Sequence, residues 1–363
     1  MADTDKKTSP KRDLLEKSKN GYDRIDPSEL KSIEKFNNMY KEFINAAKTE
    51  RQATEYAAAA AEKAGFRRYE RGDPLKPGDK IYRVNRGKAI FLAVIGSESP
   101  AKGINIAAAH LDAPRIDIKT TPLYEDFELA YFKTHYYGGI KKYQWLAIPL
   151  ELHGVVALKS GEVVNISVGK DPNDPVLVIS DLLPHLASEQ MKKAMSDAVA
   201  GESLNALLGS IPEPDDEGSD RVKLHVLGIL NEKYGITEAD LHSAELSLVP
   251  AFDARDVGLD RSMIGAYGHD DRVCCFDCLQ AILDIENPSK TALCILVDKE
   301  EIGSEGVTGM QSGFFETFVE DICEAFDVQP RVCYENSFCL SNDVAAAYDP
   351  NFPEPFDKRN SAR

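Results

Sequence analysis

No cysteine precedes Cys274, no histidine follows His269, and no apolar run comes near the length of a bilayer span. Runs such as Thr291 to Val297 fall far short of the roughly 20 residues a membrane helix needs, so no membrane partner is expected. The opening stretch, MADTDKKTSPKRDLLEKSKN, has no apolar h-region, and no secretory signal is expected there. Seven cysteines, an odd number, in such a chain point to free thiols in a reducing, cytoplasmic compartment. There is no G-x-x-x-x-G-K-[ST] and no G-x-S-x-G, which removes support for phosphate-loop and serine-hydrolase chemistry. No internal repeat is present.

Positive charge is also in deficit. Lys and Arg number 43 against 60 Asp and Glu, a formal net charge of -17, which argues against a nucleic-acid surface and for solubility. Gly138-Gly139 with Lys141, Lys142, Tyr143 and Trp145 is accordingly read as a tight turn with packing or subunit contact. Cys274, Cys275 and Cys278 have no second cysteine pair at ribbon spacing, and helical placement makes them small buried hydrophobes.

What is there fits a soluble globular chain of more than one domain. Residues 1–27 are polar and expected to be loosely ordered. From Ser28, a capping residue, apolar positions at Leu30, Ile33, Phe36, Met39, Tyr40 and Phe43 predict a helix that runs through an alanine-rich stretch to Gly65. Residues 80–87 and 88–96 flank an Arg86-Gly87 turn and predict a hairpin. Ile104 to Ala109 reads as a doubly buried strand ending at His110. Between about 118 and 258 short β-like segments dominate, among them PVLVISDLLPHLA, KLHVLGIL and AELSLVPAF, with helical pieces near SEQMKKAMSDAV and TEADLHS. The acidic, proline-bearing loop 211–220 is expected to lack fixed structure. The α/β texture then returns: a helix over 271–285, a buried strand over 291–297, a helix over 314–325 and a strand-like 331–340.

Three of these strand-like segments end in metal-ligand residue types: His110-Leu111-Asp112, then Glu300-Glu301, then Asp343. A further acidic pair, Asp270-Asp271, opens a helix. In open α/β sheets functional groups gather at the carboxyl ends of strands. A co-catalytic zinc pair needs one carboxylate bridging two ions about 3.5–4 Å apart, terminal His and carboxylate ligands, and a separate carboxylate as general base. The sequence offers Asp270 as the bridge, His110, Asp343 and Glu301 as terminal ligands, and Glu300 as the base. Asp112 stands where it can orient the His110 imidazole. Taken singly, Glu300-Glu301 reads as a solvated loop and Asp270-Asp271 as favourable charge at a helix N-terminus; their order at strand ends is what joins them.

The segments AAAHLDAPRIDIK (107–119), YYGGIKKYQWLAIPLELHG (136–154), DLLPHLA (181–187), GHDDRVCCF (268–276), VDKEEIGSEG (297–306) and SNDVAAAYDPNF (341–352) together resemble the M18 family of metallo-aminopeptidases. This is the aspartyl aminopeptidase and vacuolar aminopeptidase I group, and the resemblance is to its bacterial, clostridial-type branch. It implies an α/β catalytic domain, a mixed sheet flanked by helices, from residues 28–117 and 259–363. A β-rich dimerisation domain, 118–258, is inserted between them. It implies zinc, two ions per complete site, or other divalent ions such as Co2+ or Mn2+. One ion would sit among His110, Asp270 and Asp343, the other between Asp270 and Glu301 with a later histidine, and Glu300 would be the base. Peptides would be the substrates, and homo-oligomers, dodecamers built from dimers, the assembly.

Members of the family continue through a glycine-rich segment to that late histidine, whereas all seven histidines here precede Asp343. The Glu301 position is therefore expected to hold two of its three protein ligands, and this polypeptide alone is expected to turn over little or no substrate. The match of His185 to a substrate-binding histidine of eukaryotic relatives is not carried over, because the residues around it differ. Two alternatives stay open at this point: a related two-metal deacylase, and a non-catalytic subunit that assembles through the inserted domain.

Overall fold

The side chains of residues 89–94 are all buried and divide by parity. Ile90, Leu92 and Val94 join one apolar cluster, while Ala89, Phe91 and Ala93 join another on the far side. Residues 292–297 repeat the division, with Cys294 and Leu296 in the first cluster and Leu293 and Ile295 in the second. A period of two with both phases apolar is the signature of a strand covered on both faces.

The computed structural model describes residues 14–15, 19–214 and 216–362. In chain order these form α1 (Pro27–Ala46), α2 (Glu50–Lys63), β1 (Arg67–Arg68), β2 (Lys80–Asn85), β3 (Ala89–Val94), β4 (Asn105–His110), β5 (Arg115–Asp126), β6 (Leu129–Tyr137), β7 (Leu150–Ala157), β8 (Val163–Val168) and β9 (Ala206–Gly209). There follow α3 (Arg221–Tyr234), β10 (Glu245–Pro250), β11 (Arg255–Val257), β12 (Met263–Gly265), α4 (His269–Leu283), β13 (Ala292–Val297), α5 (Phe314–Ala325), α6 (Pro330–Glu335) and β14 (Phe338–Ser341). The first sheet is mixed, in the order β1-β2-β3-β13-β4-β14. Helices α1, α2 and α4 cover one face, and α5 and α6 cover the other. A second sheet, β8-β7-β10-β5-β6-β9, is antiparallel and packs its own core against α3. All its strands lie between residues 115 and 250. Among the described residues no helix is long and apolar enough to cross a membrane.

The hairpin about Arg86-Gly87 and the helices over 269–283 and 314–325 form where periodicity places them. Other segments differ. The long first helix is two helices. Asp26, not Ser28, caps α1, accepting the N–H groups of Ser28 and Glu29 at 2.7 and 3.0 Å, with Pro27 at the first helical position. Thr49 and Gln52 form a capping box that starts α2 afresh. KLHVLGIL is not a strand but the heart of α3; Val222 and Val226 are its buried positions, a spacing of four. Such a short apolar run does not announce its period. PVLVISDLLPHLA contributes only isolated bridges, Leu150 to Leu177 and Val178 to Leu207. SEQMKKAMSDAV and TEADLHS reduce to short 3-10 turns. Residues 331–340 split into α6, begun by Pro330, and the edge strand β14. In the 211–220 loop, Arg221 donates to the Glu213 carbonyl at 2.7 Å. The expectation for residues 1–27 falls largely on residues 1–13 and 16–18, outside the described residues.

Candidate metal centre

Strand β4 runs parallel to β13 on one side and to β14 on the other. Val297 pairs with His110 and Ser341 with Ala108, so the three chains leave the sheet at the same edge. The N–H of Asn342 extends the pairing by donating to the Ala108 carbonyl at 2.7 Å. Asp298 to Glu301 and Asp343 therefore emerge beside His110. The start of α4 meets the same edge, and its Asp270-Asp271 peptide is cis.

His110 is buried at the centre. Around its Nε2 stand Asp270 Oδ1 at 3.2 Å, Glu300 Oε2 at 3.6 Å and Asp343 Oδ1 at 3.9 Å. These three carboxylates are about half exposed, so the cluster opens to solvent on one side. His110 Nδ1 faces away, toward the Asp112 carbonyl at 3.0 Å and Asp112 Oδ1 at 3.2 Å. These acceptors hold a proton on Nδ1 and aim Nε2 at the acids, so that the neutral imidazole would present Nε2 to a cation among them.

Asp112 is wholly buried and saturated with donors. Its Oδ1 accepts the Glu300 N–H at 3.1 Å, and its Oδ2 accepts the Glu301 N–H at 3.1 Å and the Tyr137 hydroxyl at 2.6 Å. Burial alone would raise its pKa, but the bonds from His110 and Tyr137 hold it below the usual carboxylate value.

The carboxylates of the cluster raise one another's pKa. Burial, then the charges of Asp270 and Asp112, push Glu301 up to about 7. Burial pushes Asp271 up to about 6. Burial works against a charged His110, yet the Asp112 bond and the surrounding carboxylates outweigh it and raise the imidazole to about 9. Buried polar atoms without partners are costly, and His110 Nε2 and both Asp271 oxygens have none. Ligand atoms of His110, Asp271 and Asp343 all lie within 4.8 Å of one another. An imidazole with several carboxylates, orphaned toward a common point, is a donor set that fits zinc and comparable divalent ions.

Each residue singled out from the sequence, His110, Asp112, Asp270, Glu300, Glu301 and Asp343, lies at this edge. Asp271, taken as helix-terminal charge, is instead buried beside His110 and Asp343. Tyr137 was not singled out, because nothing in its local pattern marks a strand-end tyrosine as a partner for a distant aspartate. Cys275 and Cys278 are buried, and the Cys275 thiol donates to the His110 carbonyl at 2.9 Å. His185 lies in an exposed segment. Beside Asp270 a cavity of about 490 Å³ is lined by Pro114, Lys141, Trp145 and Tyr267.

Residues 43–363 match the family described as aminopeptidase I zinc metalloprotease (M18). A probable M18 family aminopeptidase 1 of Clostridium acetobutylicum is 50% identical over 358 residues, covering 96% of this chain and 77% of that protein. The crystal structure of the M18 aminopeptidase from Thermotoga maritima superposes with a TM-score of 0.90 at 42% identity, covering 96% of this chain and 77% of that one. The S. cerevisiae mApe1 dodecamer shares the fold, with a TM-score of 0.73 at 24% identity over 90% of this chain and 75% of that one.

Proposed function

The chain belongs to the M18 family of zinc metallopeptidases and is an aminopeptidase, and we propose that His110, Asp270, Glu301 and Asp343 hold a pair of zinc ions for that chemistry. The observation that carries this reading is the ring of Asp270, Glu300 and Asp343 within 3.9 Å of one imidazole nitrogen. His110 and Asp343 serve the first position and Glu301 the second. Asp270 would serve both positions, standing 3.2 Å from His110 Nε2 and acting by its charge on Glu301. Asp271 adds negative charge to the first position.

Bound zinc supplies Lewis acidity, lowering the pKa of a water and polarising a carbonyl. Glu300 takes the proton of the attacking water and delivers it to the leaving amine. The half-exposed carboxylate of Glu300 can reach both water and substrate, while its backbone is tied to Asp112. Asp112 orients His110. The acidic edge attracts the cationic α-amine of a peptide, which favours a free N-terminus. The cavity beside Asp270 gives the peptide room.

The family division into an α/β catalytic part, 28–117 and 259–363, and an inserted part, 118–258, is part of the same proposal; the two separately cored sheets support it. So is a homo-oligomer, supported by the exposed apolar side chains of Phe127, Leu183, Leu186 and Met191 in that inserted part. Seven free thiols support a cytoplasmic location.

The test is zinc content by elemental analysis alongside hydrolysis of aminoacyl anilides with free and with acetylated α-amines. Zinc uptake at the His110, Asp270 and Asp343 position is expected, with the Glu301 position, which only Asp270 and Glu301 furnish here, filled less; any turnover is expected of the free-amine substrates alone. Turnover of the acetylated substrates would replace the aminopeptidase reading with a deacylase. A chain that takes up no zinc would overturn the assignment of the ligands.

A further inference from the structure

We infer that Tyr137, carried on the second sheet, is a positioning residue for the metal site: its phenol holds Asp112, and through Asp112 both His110 and the Glu300-Glu301 turn. The inference rests on the zinc reading of that site. Tyr137 ends β6, a strand of the antiparallel sheet, and its hydroxyl reaches the connection from β4 of the first sheet to β5 of the second, where it donates to Asp112 Oδ2 at 2.6 Å. Among the described residues Asp112 Oδ2 serves two donors, this hydroxyl and the Glu301 N–H; Oδ1 serves the Glu300 N–H and faces His110 Nδ1. Without the phenol Oδ2 keeps one donor, and rotation of the carboxylate, which disturbs all three of its other contacts, is less restrained.

The tyrosine is itself held in place. The Arg115 guanidinium stacks on its ring at 3.9 Å, and the Lys299 ammonium lies over it at 5.2 Å. Arg115 is locked in turn, its Nε on Asp117 Oδ1 at 2.7 Å and its Nη1 3.3 Å from Glu50 Oε2. The phenol direction is therefore fixed before any metal arrives, which is what a group that pre-organises a ligand shell requires. Glu50 begins a helix of the first sheet's cover, so both sheets converge on the one ring.

The test is zinc affinity of the full chain, measured by competition with a chromophoric chelator, for the unsubstituted protein, Tyr137→Phe, Arg115→Lys and Tyr82→Phe. Tyr137→Phe keeps the ring and its stacks and removes only the hydroxyl. It is expected to weaken zinc binding on the order of 10-fold. Arg115→Lys keeps the charge toward Glu50 but loses the planar stack, and is expected to weaken zinc in the same direction by less. Tyr82→Phe also removes a part-buried hydroxyl bonded to a carboxylate, Glu62 at 2.5 Å, but one away from the site, and zinc affinity is expected to hold. Unchanged affinity in Tyr137→Phe, or an equal loss in Tyr82→Phe, would overturn the positioning role while leaving the zinc reading intact. No zinc uptake by the unsubstituted chain would overturn both.

Discussion

Asp112 Oδ1 accepts the backbone N–H of Glu300 at 3.1 Å, so the carboxylate two residues beyond His110 also fixes the turn that presents the proposed base. Asp112→Ala would leave two backbone N–H groups and a phenol buried without acceptors. Each orphaned group costs about 1–3 kcal/mol. The variant is expected to lose about 3 kcal/mol or more of stability in chemical denaturation and about 10- to 100-fold in zinc affinity by chelator competition.

Glu300 and Glu301 are adjacent but have different work. Glu300→Gln keeps the side-chain volume and the backbone bond to Asp112, and removes the proton acceptor. Zinc content by elemental analysis should hold while any turnover of free-amine anilides falls, by up to about 100- to 10,000-fold. Glu301→Gln should instead lower the number of zinc ions bound. The reverse pattern would exchange the two assignments.

Gly138 follows Tyr137 at φ 72°, and a Cβ there would stand 3.0 Å from Glu301 Oε2 and 3.2 Å from Glu301 Cβ. Gly138→Ala combines a left-handed backbone, disfavoured by about 1 kcal/mol, with crowding of the second metal position. Zinc stoichiometry should fall while the melting temperature moves only a few degrees. Unaltered stoichiometry would show that Glu301 yields without losing its ion.

Glu50 is buried between Arg115, at 3.3 Å, and Lys88, at 3.4 Å. Burial alone would raise its pKa, but these two cations outweigh it and hold the carboxyl well below its ordinary 4.5. Because the folded value is depressed, this stabilisation is fully present above the unfolded pKa and is lost as pH falls through the folded one. Stability measured by denaturation should therefore drop below about pH 4.5, and Glu50→Gln should flatten that limb. At neutral pH the same variant removes one of the carboxylates beside each cation, Arg115 keeping Asp117 and Lys88 keeping Glu245, so the cost is expected below the roughly 3–5 kcal/mol of an unpartnered buried charge.

The ligand types, their order and the strands that deliver them are written locally. The apolar run before Asp298 reads as a doubly buried strand and is buried throughout; the run before His110 is also a strand, but with Asn105 exposed and Ala107 and Ala108 only partly buried; the helix of Phe314–Ala325 follows from its spacing. Local period fixes such elements because it records which side of a chain is buried. It fails where the run is short or punctuated, as in Lys223–Leu230, a helix that reads as a strand, and at Thr49, where a cap interrupts a continuous pattern. The convergence of the site belongs to the tertiary structure. β13 lies between β3 and β4, and β14 adds beyond β4, which sets His110 and Asp343, more than two hundred positions apart, on one sheet edge. Only that edge decides that Asp271 is a buried neighbour of His110 rather than a solvated helix end. Only the second sheet brings the Tyr137 hydroxyl to Asp112. The physical reason is range: burial period acts over a few residues, whereas strand order and the meeting of two sheets are settled by packing across the whole chain.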